Sequence, residues 1–96
     1  MYAVVRTYSG QGADALFNLL ERRKAEVESV IRAVSGFKSY TLIRTDDGGV
    51  TVTVCQDKAG TDESSQVAWE WIQQNVSDLD VNPPVVSEGP AVLQLR

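Results

Sequence analysis

The sequence contains no histidine and only one cysteine, Cys55, among its 96 residues. Histidine is the commonest general base, metal ligand and haem ligand in proteins, so its absence excludes a nucleophile–histidine triad and the usual zinc and haem sites. A single cysteine cannot form an internal disulfide, which favours a reducing compartment. We therefore predict no metal site and no bound cofactor.

Long apolar runs and clustered positive charge are missing as well. No apolar run approaches the length of a membrane span, and Met1–Arg6 lacks the pattern of a signal peptide. The net charge is −4, and the densest basic run, Arg22–Lys24, is flanked by Glu21 and Glu26. Nucleic acids and anionic membranes attract clustered cations. We predict a cytoplasmic protein that binds neither nucleic acid nor membrane.

The composition that remains is that of one globular domain over residues 1–96. Hydrophobic residues make up 43% of the chain and charged residues 23%, which is ordinary for a folded domain. A domain of this size buries only about 60–65% of its unfolded surface. Because the core is small, dimerisation would add useful buried area, and we predict a homodimer.

Hydrophobic periodicity predicts six elements in the order βαββαβ. A period of two indicates strands, and a period of 3.6 indicates helices. The predicted elements are a strand at Tyr2–Tyr8, a helix from Ala13 that ends at Ser35-Gly36, strands at Phe37–Thr45 and Val50–Gln56, a helix with Thr61 as N-cap that runs to Asn75, and a last strand within Val85–Leu95. Right-handed crossovers give this order a ferredoxin-like α+β fold, with a four-stranded antiparallel sheet in the order 4-1-3-2 and two helices on one face.

Two turns carry more detailed predictions. A hairpin centred on Asp47-Gly48 would set Ile43 opposite Val52, and it leaves both faces of the sheet partly apolar. That pattern favours helices on one face and a partner on the other. Pro90 interrupts the last strand, which predicts an edge strand whose second part is Ala91–Leu95.

Aromatic residues are the best candidates for ligand binding, because they bury large areas and can grip a planar molecule. Packing in the core or an interface is the alternative for each of them. Arg44 could clamp a carboxylate or enolate oxygen, or it could pair with Asp46 or Asp47 beside the turn. The candidate ligand-binding residues are Tyr8, Tyr40, Arg44, Trp69 and Trp71. The two tryptophans flank the apolar stripe of their helix, so at least one should be only partly buried.

Three local motifs carry a resemblance to a known family. They are the Ser35-Gly36-Phe37 turn after a long helix, the hairpin with Tyr40, Arg44 and Asp47-Gly48, and the Trp69-x-Trp71 helix. With the βαββαβ order, they resemble the antibiotic-biosynthesis-monooxygenase-like proteins of the dimeric α+β barrel superfamily. The resemblance implies a homodimer of two sheets packed face to face, with a ligand cleft between each sheet and its helices.

The same resemblance leaves several functions open. Some members oxidise phenolic or quinol substrates with oxygen and without metal or flavin, whereas the haem degraders use a histidine ligand that this sequence lacks. One hypothesis is a cofactor-independent monooxygenase-like enzyme for a small aromatic or conjugated ligand. The alternative is a non-catalytic dimeric module that binds a ligand or serves as a structural partner. A third hypothesis is a regulatory domain of the amino-acid-binding ACT type.

Overall fold

A four-stranded antiparallel sheet packs against three helices in the computed structural model, which describes residues 1–76 and 81–95. The elements are β1 (Tyr2–Ser9), α1 (Ala13–Arg22), α2 (Lys24–Arg32), β2 (Phe37–Thr45), β3 (Gly48–Cys55), α3 (Lys58–Asn75) and β4 (Val85–Pro90). The strand order β2-β3-β1-β4 confirms the predicted ferredoxin-like arrangement, with β4 at an edge. Among the described residues, no helix is both long and apolar enough to cross a membrane.

The predicted first helix is divided into two helices, so three helices rather than two pack on the sheet of the ferredoxin-like fold. The chain leaves the helical conformation at Arg23, where φ is −115°, and α2 begins at the next residue. Periodicity does not reveal this break, because the buried positions Leu20 and Val27 keep a seven-residue spacing across it. The predicted end of the helical segment is confirmed, since Gly36 has a φ of 69°.

The hairpin register also differs from the prediction. The turn is centred on Asp46-Asp47, so Thr45 pairs with Gly48, and Ile43 pairs with Val50 rather than Val52. The glycines belong to β3 because the Phe17 ring packs against Gly49, where a Cβ atom would overlap it. A shift of two residues keeps every side chain on its predicted face.

The third helix begins four residues earlier than predicted. Asp57 is the N-cap and accepts a hydrogen bond from the Gly60 N–H at 3.3 Å, whereas Thr61 lies buried inside the first turns. Gly60 had suggested the end of a loop. In the structure, Gly60 instead lets α3 pack closely against the backbone at Ser35, because a Cβ atom at Gly60 would overlap the Ser35 carbonyl oxygen.

The last strand is shorter than predicted, and Ala91–Leu95 is not a strand. Pro90 pairs with Tyr2 at the start of β1, and the Ala91 N–H donates to the Met1 carbonyl oxygen at 2.8 Å.

The two faces of the sheet have different surroundings. The face towards the helices contributes Tyr8, Phe37, Tyr40 and Leu42 to the hydrophobic core or its margin, beside buried helix residues such as Phe17. Strand alternation places a second apolar set on the other face, outside that core cluster. This second face is formed by Ala3, Val5, Thr41, Ile43, Val50, Val52 and Val54. Cys55 is fully buried on the helix-facing side, and burial raises the pKa of its thiol.

Candidate functional site

An apolar cavity of about 30 Å³ lies between the sheet and the helices. This volume has room for about one water molecule. The cavity is lined by Tyr8, Leu20, Val27, Val30, Ile31, Tyr40, Thr51, Ala68, Trp71 and Ile72. An aromatic ligand is larger, so it could occupy this position only after the lining moves apart.

Larger grooves lie outside the cavity on the side of β2. One, of about 280 Å³, is lined by Val27, Tyr40, Lys24, Glu28, Arg32, Phe37 and Leu42. Another, of about 290 Å³, is lined by Phe17, Glu21, Lys24, Leu42 and Arg44. Val27 and Tyr40 line both the cavity and the first groove, so the two spaces are neighbours.

Trp71 forms a fixed wall of the cavity. Its indole N–H donates to Glu26 Oε1 at 3.0 Å, and the Arg23 guanidinium lies over its ring at 5.3 Å from the centroid. Arg23 also donates to Glu26 Oε2 at 2.9 Å and to Asn75 Oδ1 at 2.7 Å. The hydrogen bonds from Arg23 and then from Trp71 lower the pKa of the Glu26 carboxyl. The break between α1 and α2 thus places Arg23 where it holds the tryptophan.

A buried arginine lies behind the cavity wall. Arg6, on β1, is 3% exposed, and hydroxyl groups accept from its guanidinium. The Nη2 atom is 2.7 Å from Ser64 Oγ and 3.1 Å from Ser65 Oγ, which also accepts from Nε at 3.3 Å. The Nη1 atom is 3.2 Å from Thr51 Oγ1 and 3.3 Å from Thr53 Oγ1. These contacts occupy all five donors of the guanidinium.

No carboxylate of a described residue pairs with Arg6 through an ion bridge. Burial lowers its pKa, while the nearby Tyr8, Tyr40 and Cys55 raise it. An arginine stays charged in proteins, so a positive charge sits in the core among neutral groups. Burying an unpaired charge is costly unless hydrogen bonds compensate it.

Sequence reasoning missed Arg6. The signal was its position two residues from Val4 and Tyr8 on the inward face of an alternating strand, where a charged side chain must be buried. Its acceptors Thr51 and Thr53 likewise alternate on the inward face of β3. A charge at an inward position opposite two inward hydroxyls could have identified the cluster.

Two tyrosines, Tyr8 and Tyr40, line the cavity. Neither Tyr8 nor Tyr40 makes a side-chain hydrogen bond to another residue that the structure describes. Burial raises the pKa of both, in Tyr40 to about 12, although the Arg6 charge lowers them in part. Tyr8 packs edge-on against Phe17 with the ring centroids 5.7 Å apart. Near neutral pH both phenols therefore keep their protons and can donate them.

The structure brings together three of the five candidate residues, since Tyr8, Tyr40 and Trp71 line one cavity. Arg44 lies in the outer groove and pairs with Asp14 and Glu21 on α1, not with Asp46 or Asp47 as the alternative expected. Trp69 is 49% exposed and lies outside the cavity lining. Its exposure confirms that one tryptophan is only partly buried.

Comparison with solved structures identifies similar folds. The chain matches the NE2512 protein of unknown function from Nitrosomonas europaea with a TM-score of 0.72 and 16% identity, over 99% of this chain and 91% of that one. It matches the monooxygenase ActVA-Orf6 of Streptomyces coelicolor, in complex with nanaomycin D, with a TM-score of 0.56 and 24% identity, over 99% and 90% of the chains. The chain shares its fold with both proteins.

A third structure of similar fold is that of SnoaB, a cofactor-independent oxygenase from Streptomyces nogalater. Its TM-score is 0.61 at 21% identity, over 98% of this chain and 95% of that one. The resemblance to antibiotic-biosynthesis-monooxygenase-like proteins is thus confirmed at the level of the fold. No protein-family model and no curated protein sequence matches the chain.

Proposed function

We propose that this protein is a cofactor-independent monooxygenase that oxidises a small phenolic or otherwise conjugated molecule held between the sheet and the helices. The observation that carries the proposal is the apolar cavity lined by the aromatic side chains of Tyr8, Tyr40 and Trp71. An apolar pocket with a few convergent polar groups is the usual form of a small-molecule site. The fold that the chain shares with two oxygenases adds support.

The chemistry requires only the substrate and oxygen. An ionised phenol shares its negative charge with carbon atoms of the ring. Molecular oxygen can accept electrons from one of these carbons, and a new carbon–oxygen bond forms there. Breaking the oxygen–oxygen bond and the ring C–H bond then gives a quinone and one water. The two hydrogens of the water come from the ring C–H and the phenol O–H. Hydroxyl donors around the phenolate oxygen would hold the substrate in its reactive ionised form.

A ligand larger than the cavity of about 30 Å³ would extend past Tyr40 and Val27 into the neighbouring groove of about 280 Å³, which these two residues also line. Arg44, with its carboxylate partners, lies farther along the same side and would contact an extended ligand near the surface. Trp69 lies outside the cavity lining, so its contact with a ligand stays a prediction.

We further propose that the protein is a homodimer that packs its two sheets face to face. The second sheet face carries Val5, Val50 and Val52 outside the core cluster, and Ile43 is exposed there. An exposed apolar surface of this kind is typical of an interface. Val52→Glu should give a monomer by size-exclusion chromatography with light scattering, whereas Ser29→Glu on the exposed surface of α2 should leave the dimer intact.

Oxygen uptake with a panel of phenols, naphthols and hydroquinones tests the enzymatic activity. Isotopically labelled oxygen should place one labelled atom in the quinone product and the other in water. Tyr40→Phe should lower kcat/KM by about tenfold, since it removes one donor to the developing oxyanion. Lys38→Ala, on the exposed surface of β2, is the matched control and should keep normal turnover.

The alternative is a dimeric module that binds a ligand and releases it unchanged. One observation favours it, because none of the described residues lining the cavity is a carboxylate that could act as a base. Native mass spectrometry of the freshly purified protein distinguishes the two functions. If the bound ligand is recovered unaltered after incubation with oxygen, and no substrate of the panel causes oxygen uptake, the result would support the binding module and contradict the enzymatic function.

A further inference from the structure

The cavity is smaller than the ligands that the proposed function requires. Its volume of about 30 Å³ has room for about one water molecule. Part of the lining must therefore move before a planar aromatic molecule can bind there. The lining comes from the sheet and from all three helices, so at least one of these elements must shift.

Two of the three helices are held to the sheet by specific contacts. On α1, the Phe17 ring packs against Gly49 of β3, where it leaves no room for a Cβ atom. On α3, the hydroxyl oxygens of Ser64 and Ser65 lie 2.7 Å and 3.1 Å from Nη2 of Arg6 on β1 and accept its hydrogen bonds. Movement of either helix away from the sheet would break these contacts.

Helix α2 lacks a contact of this kind, although it supplies Val27, Val30 and Ile31 to the cavity lining. Within the described chain, no side chain of α2 forms a hydrogen bond to the sheet. The Arg32 guanidinium lies 5.8 Å from the centroid of the Phe37 ring, an interaction that is weak at an exposed position. Apolar packing has no preferred direction, so α2 can shift with a smaller loss than α1 or α3.

The chain departs from the helical conformation on both sides of α2. Before the helix, Arg23 has a φ of −115° and a ψ of 35°, and this residue separates α2 from α1. After the helix, Gly36 has a φ of 69°, in the left-handed region that glycine adopts without strain. Residues at the ends of elements commonly absorb the rotation of a hinge. These two positions allow the nine residues of α2 to move as one unit.

Among the described residues, one side-chain hydrogen bond joins α2 to the cavity wall on α3. The Glu26 Oε1 atom accepts from the indole N–H of Trp71 at 3.0 Å, and Trp71 lines the cavity. Arg23 donates to Glu26 Oε2 at 2.9 Å and to Asn75 Oδ1 at 2.7 Å, so it keeps the carboxylate in place. Val27, the residue after Glu26, lines both the cavity and the groove of about 280 Å³. The hydrogen bond to Trp71 therefore fixes the part of α2 that lines both spaces.

We propose that α2 is a lid on the cavity, hinged at Arg23 and Gly36 and held closed by the hydrogen bond between Glu26 and Trp71. A planar apolar ligand enters between α2 and β2, whose side chains line the groove. This inference rests on the ligand cavity of the proposed function and adds the element that admits the ligand. When only the open form binds, opening limits the rate of association, and the closed form lowers the apparent affinity. Loss of the hydrogen bond should therefore speed binding.

Stopped-flow binding of 1-aminoanthracene, a planar probe whose fluorescence rises in apolar surroundings, tests the lid. The observed rate should reach a plateau as the probe concentration increases, because opening becomes limiting. Glu26→Ala removes the acceptor of the indole N–H and should raise the plateau about fivefold, the effect of one hydrogen bond. Glu70→Ala is the matched control, since this exposed carboxylate accepts from Gln66 within α3, and it should keep the plateau of the unmodified protein.

Further variants test whether the hydrogen bond itself holds the lid. Trp71→Phe removes the donor and keeps an aromatic ring in the wall, so it should raise the plateau as Glu26→Ala does. The double variant should add little to either single change, because both remove the same hydrogen bond. In Trp69→Phe, where Trp71 is the remaining tryptophan, Glu26→Ala should also increase the quenching of its fluorescence by acrylamide. Circular dichroism confirms the fold of each variant.

Three outcomes would overturn the inference, and they differ in what they leave standing. A rate that stays linear in probe concentration, or a plateau that Glu26→Ala leaves unchanged, would reject the lid and leave the ligand cavity intact. Full additivity of Glu26→Ala and Trp71→Phe would show that their hydrogen bond does not hold the lid. Absence of binding in every variant would reject the cavity as a ligand site and the lid together. A plateau that responds to Glu26→Ala, without oxygen uptake across the phenol panel, would support the lid and reject only the enzymatic function.

Discussion

Two arginines on the same face of the sheet have opposite surroundings. Arg44, near the hairpin, is an exposed residue that pairs with Asp14 and Glu21 and donates to Asn18 Oδ1 at 3.0 Å. Arg6, two strands away, is 3% exposed and donates to hydroxyl oxygens. One arginine is neutralised at the surface, and the other keeps its charge in the interior.

The difference indicates that the two arginines have different roles. An exposed ion pair adds little stability and can be replaced by hydration. A buried charge without a carboxylate depends on its hydrogen bonds, here those to the hydroxyl acceptors of Arg6. Changes near Arg6 should therefore affect stability strongly, whereas changes near Arg44 should have little effect.

The largest expected effect is the loss of stability at high pH through Tyr40, the phenol beside Arg6. Its pKa is about 12 in the folded protein against an ordinary value of 10.0. Its contribution to stability is complete below pH 10 and is lost as the pH rises towards 12, because only unfolding lets the phenol ionise freely. The shift corresponds to roughly 2–3 kcal/mol of unfolding free energy.

Urea unfolding between pH 9 and 12 measures this loss, and Tyr40→Phe is the matched variant. The variant has no phenol to ionise, so its stability should decline less over the same range (the burial of Tyr8 leaves a residual decline). An identical pH dependence in both proteins would contradict the assignment to Tyr40.

The second prediction concerns the acceptors of Arg6. Ser64→Ala removes the oxygen 2.7 Å from Nη2, and that serine also donates to the Thr61 carbonyl oxygen at 2.7 Å. A buried charged donor left without its acceptor should lower the unfolding free energy by about 2 kcal/mol. Ser29→Ala, at an exposed position of α2, should change it by less than about 0.5 kcal/mol. Equal unfolding midpoints in urea would show that Arg6 does not depend on Ser64.

The sequence predicted the strand order and the sheet faces because these depend on alternation and on crossover handedness. It did not predict the break at Arg23, since the spacing from Leu20 to Val27 suits a straight helix equally well. The hairpin register was wrong because the packing of Phe17 on Gly49, a contact distant in sequence, overrides the local preference of Asp47-Gly48 for the turn.

The site was predicted less completely than the fold. Aromatic type alone pointed to Tyr8, Tyr40 and Trp71, which meet at one cavity, and to Trp69, which lies outside its lining. The Arg6 cluster combines β1, β3 and α3, so no single segment of sequence contains its pattern. Only the register of β1 against β3, which pairs Arg6 with Thr51, brings the charge and its first acceptor together.

The smallest expected effect is at Arg44, and salt provides the sharpest contrast with Arg6. Asp14→Asn removes one carboxylate from an exposed pair, so the unfolding free energy should fall by at most about 1 kcal/mol. In about 1 M salt the Debye length is only about 3 Å, and this difference should disappear. The loss caused by Ser64→Ala should persist in the same salt, because the solvent does not reach the buried guanidinium. Urea unfolding of both variants at low and high salt measures the contrast, and a salt-sensitive Ser64→Ala would mean that Arg6 is exposed to solvent after all.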